Sequence, residues 1–276
     1  MRRDSDDKRS GWTSSVEGKG PHVPLAGRNR RWAAPCGGQR RDRAGAAGHN
    51  VRAVCGRYTL TRPGALLEAD FGLTELPSGL SARFNIAPSQ DVAAITDAEP
   101  GRLSLLRWGL IPSWAKDPKI GSRLINARGE TLSSKPSFRS AYRKRRCLVL
   151  ADGFYEWQVT GAGKVPIYIR RRDLRPFAFA GLWDRWQAEA SPVEVRTCTI
   201  VTTEPNALLA PIHDRMPVIL GREGRAAWLH AASGEPLLQS LLVPCAAEEL
   251  EAYPVSRAVN APAVARPELV LPVEAS

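Results

Sequence analysis

The chain has 276 residues, 43% of them hydrophobic, which is enough to bury a sizeable core and excludes disorder throughout. No run of eighteen consecutive apolar residues occurs and the N-terminal stretch lacks the apolar centre of a signal peptide, so neither a helical membrane span nor secretion is indicated, and a cytoplasmic protein is expected. The net charge of +11 suggests a nucleic-acid partner, but residues 1–53 hold 12 of the 39 Lys and Arg against 5 of the 28 acids, which leaves residues 54–276 with an excess of only about +4.

In chain order, residues 1–53 come first. They are rich in Gly, Arg, Ser and Ala, show no sustained period of 2 or 3.6, and are expected to form a disordered basic extension. A transit peptide, a DNA-holding basic arm, a pro-segment and an upstream misassignment of the start codon are the available readings. Asp4, Asp6 and Asp7 count against the transit peptide, and the start-codon reading is favoured: a valine codon can initiate as methionine, which makes Val54 a plausible first residue and Cys55 the terminus once that residue is removed.

From Val54 the texture changes. A helix is expected over 64–72, then strands over 91–96 ("DVAAIT") and 102–112 ("RLSLLRWGLIP"). Further along, a helix is expected over 137–146 ("SFRSAYRKRR"), then strands over 146–157, 165–170, 176–183 and 196–203, and a helix over 221–230. Many strands, few helices and no regular strand–helix alternation predict one α+β domain over 54–276 with a largely antiparallel sheet. The five cysteines are widely spaced and form no CxxC pair, which argues against a disulfide framework or a structural zinc site. Only two histidines, His213 and His230, fall in this part, without metal-ligand spacing, so neither a metal nor a cofactor is expected.

Four segments, "CGRY" (55–58), "INARGET" (125–131), "ADGFYEW" (151–157) and "IHDRMPVIL" (212–220), together resemble the SOS response-associated peptidase (SRAP) family, the abasic-site processing proteins. "RFNIAPSQ" (83–90), "WGLIPSWAKD" (108–117) and "YPVSRAVN" (253–260) support the likeness, which runs in order from residue 54 to about 272 and omits residues 1–53. The resemblance implies a barrel-like sheet with a few peripheral helices, a partner in single-stranded DNA containing abasic sites, and a DNA-damage role. It further implies that Cys55, as the N-terminal residue, forms a covalent thiazolidine crosslink with the lesion. Asn126, Glu156 and His213 match the other active-site positions and Arg128 a phosphate-binding arginine. The departure is upstream, where valine and 53 further residues stand in place of an initiating methionine.

The chemistry accounts for these residue types. A terminal cysteine carries an amine and a thiol on adjacent carbons, and both can add to the aldehyde of an open abasic sugar and close a stable five-membered ring; an internal cysteine cannot. His213 suits sugar-ring opening because imidazole titrates near neutrality, and Glu156 suits loss of water if burial raises its pKa. Asn126 would hold the amine or a sugar oxygen by hydrogen bonds. Arg57, Arg128 and Arg139 are candidates for phosphate contact and Trp114 for stacking on a base, with "YRKRR" (142–146) as a further cationic stretch. Taken singly, each has a plainer reading: a packed cysteine, a structural histidine at a strand start, a turn-capping Glu156, a helix start at "NARGE", a solvated helix face at "YRKRR", core tryptophans. Removal of the upstream segment by Cys55 acting as an autoproteolytic peptidase is a second, compatible reading, and a non-covalent single-stranded DNA binder a third. The protein is expected to act as a monomer, associated with the nucleoid when bound to damaged DNA.

Overall fold

The computed structural model describes residues 55–62, 64–77, 80–161, 163–189 and 191–273. The expected disordered extension over 1–53, and its boundary with the folded part, lie outside the described residues.

The strands are β1 (Arg57–Leu60), β2 (Arg83–Ile86), β3 (Asp91–Thr96), β4 (Glu99–Trp108), β5 (Asn126–Arg128), β6 (Arg146–Ala151) and β7 (Gly153–Thr160). They continue as β8 (Gly163–Arg171), β9 (Phe177–Gln187), β10 (Glu194–Thr203), β11 (Met216–Pro217), β12 (Ile219–Leu220) and β13 (Leu250–Pro254). Four α-helices, α1 (Gly64–Phe71), α2 (Arg139–Lys144), α3 (Arg222–Leu229) and α4 (Glu235–Ser240), lie among them.

Five strands close on themselves. β10 pairs β4, β4 pairs β3, β3 pairs β6, β6 pairs β9 and β9 pairs β10, every step antiparallel except the first. β10 is the hub: beyond its contact with β4 it takes up β5 in parallel, and beyond β9 it takes up β11. A second sheet runs β13-β8-β7-β1-β2. The α+β class, the barrel-like sheet and the few peripheral helices are therefore as the sequence leads one to expect.

One corner joins barrel to second sheet. β6 and β7 are separated by a single residue, Asp152, whose buried carboxylate accepts from Thr59 Oγ1, Thr61 N and Thr61 Oγ1, each at 2.6 Å. Three donors satisfy the charge that burial would otherwise penalise, and they fix β1 against the start of β7. Gly153 follows because a Cβ there would lie 2.1 Å from the Tyr168 hydroxyl. At Gly109, a φ of 129° and a would-be Cβ contact of 2.8 Å to the Gly121 carbonyl again admit only glycine.

The buried core includes Val92, Leu106, Val149 and Ile200, and β1 packs Tyr58 into it. The Tyr58 ring meets Trp108 and Phe179 edge-on at 5.3 and 5.7 Å, contacts worth about 0.5–1.5 kcal/mol each beyond their area. Packing of this strand on the barrel thus sets where the segment before it, beginning at Cys55, can lie.

Two expected helices match α1 and α3 closely, whereas the helix expected to run to residue 146 stops at Lys144. Arg146 is instead the first residue of β6, buried, donating to the carbonyls of Tyr142, Arg143, Trp228 and His230. It caps the C-terminal ends of α2 and α3 at once, so the stretch "YRKRR" is not one solvated helix face.

Candidate active site around Cys55 and Glu156

Cys55 precedes β1, and Glu156 lies in β7 one residue past Tyr155, which pairs with Arg57. This pairing brings together two residues 101 positions apart: the backbone nitrogen of Cys55 donates to Glu156 Oε1 at 2.6 Å. Glu156 is 2% exposed, and burial is the largest influence on its carboxyl, pushing its pKa up to about 8. The backbone donors of Cys55 and Trp157 pull it back and the carboxylate of Asp214 pushes it further up. Near neutral pH the group is mostly protonated, a carboxylic acid in hydrogen-bond contact with the cysteine nitrogen. The Cys55 thiol is buried too, and burial, then the nearby Glu156, raise its pKa. The backbone at Cys55 has a φ of 45°, the left-handed region that non-glycine residues seldom occupy.

Asn126, Arg128 and His213 lie on two further elements. Asn126 opens β5, where the chain runs parallel to β10 opposite Ile200, anchored by Trp108 Nε1 donating to the Ile125 carbonyl at 2.9 Å. Arg128 ends the same strand, exposed. His213 sits, largely buried, in the turn before β11. Gln158 of β7 donates to the Pro211 carbonyl at 3.2 Å, which ties that turn to the strand carrying Glu156. Arg215 ties it to the 3₁₀ turn Gly129–Thr131 that follows β5 and to β10: its guanidinium donates to both oxygens of Glu130 at 2.6 and 2.9 Å and to the Thr202 carbonyl at 2.8 Å.

Arg57, Trp114 and Arg139 are the remaining expected contact residues. The Arg57 guanidinium donates to Asn85 Oδ1 and the Val259 carbonyl at 2.8 and 2.7 Å and stands 6.0 Å over the Trp157 ring, so it fastens the segment Arg257–Asn260 to the second sheet. Trp114 is 58% exposed and lines a cavity of about 550 Å³ with Lys116, Lys119 and Arg123, the combination of aromatic face and cations that suits a nucleic-acid strand. Arg139 begins α2 and is exposed. Of the tryptophans read as core, Trp108 and Trp183 are buried. Cys147, Cys198 and Cys245 are free thiols, and no cluster of three or more potential metal ligands occurs among the described residues. No described helix is long and apolar enough to cross a membrane.

Sequence reasoning did not single out Glu130, Asp214, Arg215 or Asn85. The signal for two of them was present, since Glu130 and Arg215 are opposite charges within the two matched segments, but such a pairing is too common to read without the fold.

A closed barrel with a cysteine nitrogen held against a buried acid defines an α+β protein with a cysteine-centred site. Residues 54–262 match the model of the family described as SOS response associated peptidase (SRAP). The chain is 47% identical over 223 residues to the abasic site processing protein YoqW of Bacillus subtilis, covering 79% of this chain and 99% of that protein. It is 36% identical over 192 residues to the abasic site processing protein HMCES of Gallus gallus, covering 61% of this chain and 57% of that one. A crystal structure of a protein from Bacteroides thetaiotaomicron superposes with a TM-score of 0.74 at 29% identity, covering 80% of this chain and all of that one. The chain belongs to the SRAP family.

Proposed function

We propose that this protein processes abasic sites in single-stranded DNA by forming a thiazolidine crosslink through Cys55 as an N-terminal residue. The observation that carries the reading is the 2.6 Å contact between the Cys55 nitrogen and a buried carboxyl with a pKa of about 8. The names of the relatives and the family membership support the substrate class.

The steps balance with this chain's own groups. His213 assists opening of the sugar, giving a proton to the ring oxygen and taking one from the hydroxyl. The Cys55 amine adds to the aldehyde carbon. Protonated Glu156, adjacent to that nitrogen, supplies the proton with which the carbinolamine hydroxyl leaves as water. The Glu156 carboxylate takes back the iminium N–H proton, and the thiol then adds to the imine carbon, its proton passing to nitrogen, and the ring closes. The raised thiol pKa favours this order, because the amine becomes neutral at lower pH than the thiol becomes thiolate. Arg128, Arg139 and the surface around Trp114 are the proposed strand-holding groups.

A second activity is compatible and draws on the same contact. In a chain that continues upstream, attack of the Cys55 sulfur on the carbonyl of residue 54 forms a thioester, Glu156 protonates the departing nitrogen, and water releases the upstream segment and regenerates the thiol. Residues 1–54 would then be absent from the mature protein, with 55–276 as its functional domain.

The test is to mix a chain with a verified Cys55 terminus with an oligonucleotide carrying one abasic site and run a denaturing gel. A heat-stable shifted band, absent with intact DNA and with Cys55→Ala, is expected. No band with the verified terminus would refute the reading.

A further inference from the structure

A cavity of about 600 Å³ lies between α1 and α3, and none of its lining residues belongs to the site around Cys55 and Glu156. Ile95 of β3 and Leu148 of β6, partners in the pairing of those strands, line it together with Phe71 of α1 and Leu229 of α3. Charged groups stand among these apolar walls, and they are unevenly paired. The Asp70 carboxylate accepts from Arg175, and Asp97 accepts from the Arg146 nitrogen at 3.0 Å and from Trp183 Nε1 at 2.8 Å, so both acids that line the cavity are engaged. The cations are less well provided for. Arg225 stands 4.6 Å over the Phe71 ring and donates to the Asp70 carbonyl at 3.2 Å, while its Nε is buried with no acceptor among the described residues. Arg222, exposed and lining the same cavity, makes no hydrogen bond or ion pair among the described residues. Burial, then the like charge of Arg222, lower the Arg225 pKa against the opposing pull of Asp70, as two guanidinium groups do when they are held near one another without a shared anion.

We propose that this cavity binds a nucleoside monophosphate, with its phosphate taken by Arg222 and Arg225 and its base and sugar by the apolar walls. Two guanidinium groups suit a doubly charged phosphate, to which each can present parallel N–H donors, and His230 lines the cavity as a further donor. The volume lies within the range of small-molecule sites, and a bare phosphate would leave most of it empty. Ile95, Leu148 and Leu229 offer apolar surface for the faces of a base. The carboxylates of Asp70 and Asp97 disfavour a ligand charged at both ends. Their remaining lone pairs favour one whose far end carries N–H donors, as the exocyclic amine of a base does.

The test is calorimetric titration of the full chain with deoxyadenosine 5′-monophosphate, with inorganic phosphate and deoxyadenosine titrated separately. One site filled below about 1 mM nucleotide is expected, with each half of the ligand binding at least about tenfold more weakly than the whole. Arg222→Gln, at an exposed position that folding does not depend on, should weaken the nucleotide by on the order of tenfold, and Arg225→Gln by as much or more. Ala226→Trp, which fills the cavity from an exposed position on α3, should abolish binding. No binding of the nucleotide, or equal affinity for inorganic phosphate, would overturn the proposal. So would an affinity unmoved by Arg222→Gln and Ala226→Trp, and a loss on Trp114→Ala in its place would move the nucleotide to the strand-holding surface.

Discussion

Replacing Glu156 by Gln should make the protein more stable at alkaline pH while disabling its site. The native carboxyl has a pKa of about 8 against an ordinary 4.5, so between these values the folded state binds a proton that the unfolded state has released. A raised native pKa contributes stability that is complete below the ordinary value and disappears as pH rises through the native one. The difference corresponds to on the order of 5 kcal/mol, and the slope between the two is about 1.4 kcal/mol per pH unit. Gln keeps an oxygen to accept from the Cys55 nitrogen but has nothing to ionise. Urea unfolding of wild type and Glu156→Gln at pH 5, 6, 7 and 8 isolates the effect, because other titrating groups cancel in the difference. The stability of the variant relative to wild type should grow by on the order of 4 kcal/mol from pH 5 to pH 8. A gap that stays constant across this range would show that Glu156 titrates as an ordinary carboxylate and would remove the physical basis for its role as an acid.

Crosslinking by a chain beginning at Cys55 should fall by about 10²–10⁴ in Glu156→Gln, read as initial rates on an abasic oligonucleotide at pH 7. Trp114→Ala should weaken binding to abasic single strands by about 1–3 kcal/mol, measured by fluorescence anisotropy with Cys55→Ala protein so that no adduct forms. In the same assay Arg128→Glu should reduce the dependence of log affinity on log salt by roughly 0.7 or more, and an unchanged slope would place Arg128 away from the backbone. Arg146→Met should cost on the order of 3 kcal/mol in denaturant unfolding, since it strips four carbonyls of a shared donor at the ends of α2 and α3.

Four of the five barrel strands are legible because they are buried along most of their length, β4 being the exception. "DVAAIT" coincides with β3, and "RTCTIVTT" falls within β10, whose last seven residues are all buried. Such runs need no partner in view to be recognised as strands. β5, β11 and β12 hold two or three residues each and carry no period, so only their pairing on β10 and β9 defines them. Arg146 was hidden for a different reason: a run of cations reads as solvated, and only four converging carbonyls make one of them a core residue. In the site, Cys55 and Glu156 could be named from their segments, yet nothing in a spacing of 101 residues reveals that a nitrogen and a carboxyl oxygen meet. Arg57 shows the converse, a cation whose sequence context suits phosphate and whose guanidinium is engaged by Asn85 and Val259.

The left-handed backbone at Cys55 bears on which form of the chain the fold accommodates with least cost. A φ of 45° at a side-chain-bearing residue costs roughly 1–2 kcal/mol, through the crowding of Cβ in that region. That torsion exists only while a carbonyl is bonded to the nitrogen. A cysteine that begins the chain has no φ, and its amine turns freely about the N–Cα bond toward Glu156 or toward an aldehyde. On the proposed reading, in which the chain is cut before Cys55, the conformational penalty would fall on the precursor alone, and the cut would relax the site in the same event that creates its nucleophile.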